Sequence, residues 1–221
     1  MTFGPAPIKV ALVDDHRLLL ETLAATIRKA PDMEVVATAA SAEEGLQNIL
    51  AAAPDVAILD VDLPGSGSFH VAQEIRSRLK KTKVIFLTGY LSDVLLEQAL
   101  RLRAFGYLIK DEPVEIVLES VRQVAQGQYC FSKQVEEKLA YDATRRRYHL
   151  HAPHLLSDLT TRQLDVLRHL ARGESVKEVA KKLHLSQKSV DSHKYRIMNK
   201  LGIHDRVELA RYAIREGLLL P

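Results

Sequence analysis

Cysteine is almost absent from this chain of 221 residues, because Cys130 is the only one. A single thiol cannot form a disulfide within the chain, and without a second cysteine to help bind a metal we expect Cys130 to be inert. No run approaches the ~18 apolar residues of a membrane span, and the first residues, MTFGPAPIK, contain no apolar signal core. We therefore expect a cytoplasmic protein without a membrane partner.

The net charge is small but unevenly distributed. The chain has 31 Lys+Arg and 28 Asp+Glu, a formal net charge of +3. Residues 1–127 hold 13 basic and 17 acidic side chains, which gives −4, and the remaining residues hold 18 and 11, which gives +7. An acidic half joined to a basic half predicts that only the second half meets a polyanion.

Short apolar runs alternate with helical patterns over the first part of the chain. Strands are predicted over residues 8–13, 34–39, 56–60, 83–88 and 105–110, and helices near 17–30, 42–52, 68–79, 92–103 and 113–126. Five such β/α units predict an α/β fold with a doubly wound parallel sheet and helices on both faces.

The pattern changes after Gly127, where the strand signal stops. Residues 128–156 show little periodicity and include the basic run at 145–147, so we interpret them as a linker with a helix around 133–141. Beyond this linker an all-α domain of four short helices is predicted. Its helix-start signals are Thr160 with Gln163, Ser175 with Glu178, Ser186, and Asp205 with Glu208.

The segment VAILDVDLPG, residues 56–65, ends a predicted buried strand with two carboxylates, Asp60 and Asp62. Because side chains alternate along a strand, both are expected to point the same way. The pair alone leaves three interpretations open. They are the nucleophile and acid/base partner of a haloacid-dehalogenase-like phosphatase, a switch in which Asp60 is phosphorylated, or a solvated loop.

Further polar residues stand at the ends of other predicted strands. Asp14 and Asp15 end the first strand, Thr88 the fourth and Lys110 the fifth, so all should face one crevice with Asp60. Crowded carboxylates repel unless a cation joins them, and their oxygens suit Mg²⁺. The set fits phosphoryl transfer, in which Asp60 attacks, Asp14 and Asp15 hold the metal, and Thr88 and Lys110 bind the phosphoryl oxygens.

The motifs VDDH, ILDVDLP, LTG and GYLIKD together resemble the receiver domain of bacterial two-component response regulators, over residues 8–126. The resemblance implies that Asp60 is the phospho-acceptor and that Asp15 and Asp60 bind Mg²⁺, with Asp14 close by. It implies that Asp62 contributes only its backbone carbonyl to the metal, so that an Asp62→Asn variant should still be phosphorylated.

The resemblance also covers the switch residues and shows one departure. It implies that Thr88 turns toward the phosphoryl group, that Tyr107 is the aromatic switch, and that Lys110 binds the phosphoryl group. Ser68 stands where many receivers have glycine, and the loop 65–68 is unusually small and polar. The geometry of this loop and the rate of dephosphorylation are therefore open.

The helix predicted over residues 187–201 has an apolar side and a polar, basic side. At about 100° per residue, Val190, Ile197 and Leu201 face one way. Its opposite side carries Lys188, Ser192, Tyr195 and Asn199. With the short helix before it, the pattern predicts a helix-turn-helix, although a simple solvated bundle has the same spacing.

The segment LTTRQLDVLRHLARGESVKEVAKKLHLSQKSVDSHKYRIMNKLGI resembles the LuxR-type DNA-binding domain, over residues 155–218. With a linker over 127–154, the two domains have the layout of the NarL/FixJ response regulators. The resemblance implies base contacts from Asp191, Ser192 and Tyr195. Phosphate contacts are expected from Lys188, Lys194, Arg196 and Lys200. Many relatives have lysine in place of Asp191, which either accepts from a cytosine or pairs with Lys188 or Lys194.

The hypothesis is a phosphorylation-switched transcriptional regulator that is not an enzyme beyond its own phosphorylation and dephosphorylation. Phosphorylation by a sensor histidine kinase would stop the receiver from masking the DNA-binding domain, or would change the dimer geometry. Expected partners are double-stranded DNA, the kinase and a second copy of the chain, with RNA polymerase as a candidate. The alternatives are the phosphatase, which leaves Asp14 and Asp15 idle, and a phosphorylation-independent DNA-binding or interaction protein.

Overall fold

The α/β architecture predicted for the first part of the chain is confirmed. The structure, a computed structural model, describes residues 6–63, 67–151 and 159–219. Strands and helices alternate in the order β1 (Ile8–Val13), α1 (Arg17–Lys29), β2 (Met33–Ala39), α2 (Ala42–Ala52), β3 (Val56–Asp60), α3 (Ser68–Arg78), β4 (Lys83–Thr88), α4 (Asp93–Arg101), β5 (Gly106–Ile109) and α5 (Val114–Ala125). The predicted ends lie within about two residues of these, as expected for strongly patterned elements.

These strands form one parallel sheet in the order β2-β1-β3-β4-β5. Every residue of β3 is buried, which explains its unbroken apolar sequence. Alternate residues of each strand enter the two cores on opposite faces, so that Ile58 packs in one and Leu59 in the other. The strand order reverses at β1 and β3, and their carboxyl ends therefore open into a crevice suited to polar groups.

The linker prediction is wrong in its secondary structure. A sixth strand, β6 (Cys130–Phe131), pairs in parallel with β5. A single turn, α6 (Lys133–Glu136), replaces the longer helix expected over 133–141. An antiparallel hairpin follows, β7 (Leu139–Asp142) with β8 (Arg147–Leu150). Strands this short have too few residues to show a period, and tertiary packing of Phe131 against Tyr148 supports them instead.

The described part of the C-terminal region contains the four predicted helices. They are α7 (Thr161–Ala171), α8 (Val176–Lys182), α9 (Gln187–Leu201) and α10 (Arg206–Arg215). Complete capping boxes start α7 and α8, and the Ser186 and Asp205 side chains cap α9 and α10. Each cap satisfies backbone N–H groups that the helix leaves unpaired, so the start signals had a direct physical basis.

The helical region packs directly on the α/β region. One core cluster is continuous from Phe69 and Phe86 on one face of the sheet to Leu164 and Leu167 of α7. The two regions also meet where the chain beyond α10 reaches the start of α4. A Cβ built on Gly217 would lie 3.8 Å from the Cβ of Ser92. Within the described ranges, no helix combines the length and apolar character needed to cross a bilayer.

Candidate functional site

The residues predicted at the strand ends meet in one acidic crevice. Asp60 ends β3 and is only 1% exposed, and Asp14, just after β1, is also buried. The ammonium of Lys110, which follows β5, lies 2.8 Å from Asp14 Oδ2 and 3.0 Å from Asp60 Oδ2. Parallel topology thus brings three positions separated by 46 to 96 residues into direct contact.

Sequence reasoning missed one member of this cluster, His16. Its Nδ1 lies 3.0 Å from Asp15 Oδ1, 3.2 Å from Asp14 Oδ1 and 3.8 Å from Asp60 Oδ2. The same nitrogen is 3.3 Å from Lys110 Nζ. The signal was present in the motif VDDH, where His16 directly follows the two carboxylates, but His16 has no place in the predicted chemistry.

The environment of Asp60 opposes its ionisation. Burial, reinforced by the nearby charge of Asp14, raises the pKa of Asp60 from 3.8 to about 6, although Lys110 acts in the opposite direction. Burial acts to lower the pKa of Lys110, but its contacts with Asp14 and Asp60 outweigh this and raise it. The crevice therefore holds an ionisable carboxylate close to a stable positive charge.

The carboxylates fit a hard divalent cation. Ligand atoms of Asp14, Asp15, His16 and Asp60 all lie within 4.8 Å of one another. The buried oxygens Asp14 Oδ2 and Asp60 Oδ2 have no hydrogen-bond partner among the described residues apart from the ion-pair contacts of Lys110. Carboxylate oxygens with spare acceptor capacity are what Mg²⁺ prefers.

Asp62 departs from the prediction that it points the same way as Asp60. Its backbone N–H donates to Asp60 Oδ1 at 3.2 Å, but its carboxylate is ion-paired with Arg168 of α7 and with Arg172, the residue directly after this helix. Arg172 Nη2 lies 3.2 Å from Asp62 Oδ1, and Arg168 contacts the same oxygen. Because β3 ends at Asp60, strand alternation no longer applies at Asp62.

Arg168 also contacts the backbone beside the acidic crevice. Its Nη1 donates to the carbonyl oxygen of Val61 at 3.3 Å, and Ser68 Oγ donates to the same carbonyl at 2.9 Å. Ser68 is buried and starts α3. Its hydroxyl thus holds the last residue of the small polar loop 65–68, of which Gly65 and Ser66 lie outside the described residues.

The expected switch residues, Thr88 and Tyr107, are both buried. Thr88 Oγ1 donates to the carbonyl oxygen of Tyr90 at 3.0 Å, and the Tyr90 hydroxyl donates to the carbonyl oxygen of Leu218 at 3.1 Å. Tyr107 is fully buried with its ring 6.4 Å from that of Phe86, and burial raises the pKa of its phenol. Thr88 and Tyr90 therefore connect the crevice to the C-terminal region.

A second candidate site is the outer face of α9. Val190 and Ile197 are fully buried beneath it. The outer face carries the exposed residues Lys188, Asp191, Ser192, Tyr195, Arg196 and Lys200. Lys194 is partly buried, and its Nζ lies 3.4 Å from Asp191 Oδ1. The ion-pair alternative for Asp191 is thus present in the free protein, and the alternative of a base contact stays a prediction.

The α/β region contacts α7 and the end of α10, whereas the outer face of α9 is exposed. Besides the contacts of Asp62 and Tyr90, the Gln98 amide donates to Thr161 at the start of α7. Tyr195, in the middle of the outer face, is 67% exposed with the two regions docked. Within the described residues the receiver does not cover this face, and both alternatives for the switch, masking of the domain and a change of dimer geometry, stay predictions.

Comparisons with known proteins cover both regions. A family model described as the response regulator receiver domain matches residues 10–122, and one for bacterial regulatory proteins of the luxR family matches 157–213. The transcriptional regulatory protein YxjL of Bacillus subtilis is 31% identical over 96% of this chain and 97% of its own length. The oxygen regulatory protein NreC of Staphylococcus haemolyticus is 32% identical over 96% and 99%.

The fold is shared with a solved full-length regulator. The RcsB response regulator of Salmonella typhimurium matches with a TM-score of 0.72 and 22% identity over 96% of this chain and 98% of that one. The combination of domains makes this protein a DNA-binding transcriptional regulator and not a classical enzyme. The chain belongs to the NarL/FixJ family of two-component response regulators, with a receiver domain followed by a LuxR-type DNA-binding domain.

Proposed function

We propose that Asp60 is the phospho-acceptor of the receiver and that its phosphorylation controls DNA binding through α9. The observation that carries this proposal is the crevice itself, where buried Asp60 lies 3.0 Å from Lys110 Nζ and beside Asp14 and Asp15. Asp14, Asp15, Asp60 and the backbone carbonyl of Asp62 would hold Mg²⁺. When bound, the cation neutralises the charge that develops on the phosphoryl oxygens.

The residues of the crevice supply the remaining parts of an in-line displacement. An oxygen of the Asp60 carboxylate bonds to phosphorus, the P–N bond of a kinase phosphohistidine breaks, and the imidazole leaves with a proton. Lys110 binds a phosphoryl oxygen, and Thr88 binds another once its hydroxyl leaves the carbonyl of Tyr90. Tyr107 follows this movement from within the core.

The phosphatase alternative requires Asp62 as a general acid beside Asp60. A general acid must reach the leaving group by a hydrogen bond. The carboxylate of Asp62 is instead ion-paired with Arg168 and Arg172, on the side of the loop that meets α7. This arrangement favours the regulator, in which Asp62 is not needed for proton transfer.

DNA binding is assigned to α9 of a domain spanning residues 155–218, with the receiver over 8–126 and the linker over 127–154. Lys188, Lys194, Arg196 and Lys200 would contact phosphates, and Asp191, Ser192 and Tyr195 would meet base edges in the major groove. We expect a homodimer on paired half-sites, a sensor histidine kinase as phosphodonor, and RNA polymerase as a further candidate partner. A location in the cytoplasm follows from these partners.

The test compares the wild type with Asp60→Asn. Both proteins are incubated with radiolabelled acetyl phosphate and Mg²⁺, and retained label and affinity for a DNA mixture are measured. Label is expected on the wild type alone, and DNA affinity should rise with labelling. Stable label on Asp60→Asn would refute the acceptor assignment, and continued turnover of varied phosphoesters by the wild type would favour the phosphatase.

A further inference from the structure

We propose that Arg168, on α7 of the DNA-binding domain, and Arg172, directly after α7, are positioning residues for the phosphorylation site. They hold the loop after Asp60 through Asp62, so that domain docking and phosphorylation oppose each other. The inference rests on the proposed function of Asp60 and adds to it the residues that join the two domains. These arginines lie in the domain that does not contain the acceptor.

The first connection runs through the chain that directly follows Asp60. Arg168 is buried and binds both the Val61 carbonyl and the Asp62 carboxylate, which Arg172 also contacts. The Asp62 N–H in turn donates to Asp60 Oδ1. A single residue, Asp62, therefore contacts the acceptor with its backbone and the other domain with its side chain.

The second connection runs through the loop after β4. Thr88 must turn its hydroxyl toward a phosphoryl group on Asp60, but here that hydroxyl donates to the Tyr90 carbonyl. Tyr90 is held by its own hydroxyl bond to the Leu218 carbonyl, beyond the end of α10. Docking thus stabilises the arrangement in which Thr88 is turned away from the acceptor.

Both connections predict that docking of the two domains disfavours phosphorylation of Asp60. Docking fixes the loops after β3 and β4 in the arrangement of the unphosphorylated site, so phosphorylation must weaken docking. Linkage is reciprocal, and undocking must therefore favour phosphorylation to the same extent. Allosteric couplings are typically worth about five- to 150-fold in an equilibrium, and we expect this coupling to lie in that range.

An engineered disulfide provides a reversible test in a single protein. The Cβ of Ser92 would lie 3.8 Å from a Cβ at position 217, inside the range of about 3.5 to 4.5 Å that disulfides require. Because Gly217 has φ +65°, a cysteine there strains the backbone, so rates are compared only among proteins that carry both cysteines. Ser92→Cys with Gly217→Cys, in a Cys130→Ser background, should form the bond only while the domains are docked. The rate of disulfide formation in metal-free buffer reports docking without any phosphorylation.

The same protein reports the coupling. The oxidised protein should take up label from acetyl phosphate with Mg²⁺ more slowly than the reduced protein, and at steady state it should retain at least about fivefold less label. Two further variants each add one substitution to this protein, either Arg168→Gln or Arg172→Gln, the latter at the more exposed of the two arginines. Each should slow disulfide formation and accelerate labelling of the reduced protein. The matched control is Asp32→Asn, which removes an Asp–Arg pair with Arg122 inside the receiver at 2.7 Å and should change neither rate.

Each outcome decides one part of the proposal. Disulfide formation that is unchanged by both arginine substitutions would refute their role in docking. Equal labelling of oxidised and reduced protein would refute the coupling even if docking depends on the arginines. Failure of the reduced protein and of the wild type to take up label would instead refute the proposed function of Asp60, and with it the coupling, while the docking result would stand alone.

Discussion

Asp165 is a buried carboxylate at the contact between the two domains, and its replacement by asparagine should stabilise the protein at neutral pH. It lies on α7, is 4% exposed, and its Oδ2 has no hydrogen-bond partner among the described residues. Its Oδ1 lies 3.0 Å from where a Cβ on Gly67 would be. Burial raises the pKa of Asp165 from 3.8 to about 7, although Arg168 and Arg162 act to lower it.

The magnitude follows from this shift in pKa. A rise of about 3 units corresponds to about 4 kcal/mol, since one unit is worth about 1.4 kcal/mol. A carboxyl whose pKa is raised on folding binds its proton more tightly in the native state. Its contribution to stability is complete below the unfolded value of 3.8 and is lost as the pH rises to about 7. Asparagine does not titrate, so the variant escapes this loss.

The assay is urea denaturation of the wild type and Asp165→Asn at a series of pH values from about 4 to 8, which spans the shifted pKa. An amide hydrogen left unpaired adds a constant cost of about 1 to 3 kcal/mol, so the informative quantity is the change with pH. The difference in free energy of unfolding, variant minus wild type, should increase by up to about 4 kcal/mol and level off above pH ~7.

A control of opposite sign is available in the β7–β8 hairpin. The pKa of partly exposed Asp142 is lowered by hydrogen bonds from the backbone of Arg145 and Thr144. Its asparagine variant should therefore lose stability relative to the wild type only as the pH rises toward 3.8, so this control extends the series below pH 4, and the difference should stay level between pH 4 and 8. If the difference in free energy of unfolding between Asp165→Asn and the wild type did not change between pH 4 and 8, the argument that this carboxylate is buried without compensation would be refuted.

Three further outcomes are expected. Lys188→Gln should weaken DNA binding on all sequences alike and reduce the slope of log affinity against log salt by about 1, as for one lost phosphate contact; an unchanged slope would remove Lys188 from the interface. Thr160→Ala should lower the free energy of unfolding by about 1 kcal/mol, because the Thr160 hydroxyl accepts a hydrogen bond from the Gln163 N–H at 3.2 Å in a capping box. An unchanged midpoint of urea denaturation would contradict this. Gly67→Ala should cost about 1 to 3 kcal/mol for its backbone conformation at φ +85°, and Gly173→Ala, at φ +91°, should share this cost. Because an added Cβ at position 67 also lies 3.0 Å from Asp165 Oδ1, whereas one at position 173 meets nothing within 4 Å, thermal denaturation should show a lower Tm for Gly67→Ala, and equal values would contradict the contact with Asp165.

The receiver could be predicted closely because its local and global signals agree. Parallel strands buried on both faces produce unbroken apolar runs such as Val56–Asp60, and the helices between them have clear periodicity. Once the strands are known, topology alone requires Asp14, Asp60 and Lys110 to share one crevice. The helix caps of the second domain were equally readable, since capping is a local interaction.

The contacts between the domains could not be predicted in this way. Arg168 and Asp62 are 106 residues apart, and an arginine on an amphipathic helix has the same sequence signature whether it binds water or another domain. Asp62 was assigned by strand alternation, which ends with β3 at Asp60. The two-residue strand β6 owes its existence to pairing with β5, which no local pattern encodes.

The exposed outer face of α9 has a consequence for how this protein finds its sites. Lys188, Arg196 and Lys200 of this face are exposed while the domains are docked, so with the proposed role of α9 the first electrostatic encounter with a duplex would not depend on the signal. Such weak contacts permit sliding and hopping along DNA. Phosphorylation would then act mainly on how long a regulator already present on the chromosome stays at its operator, because dissociation rates vary more than association rates among related complexes.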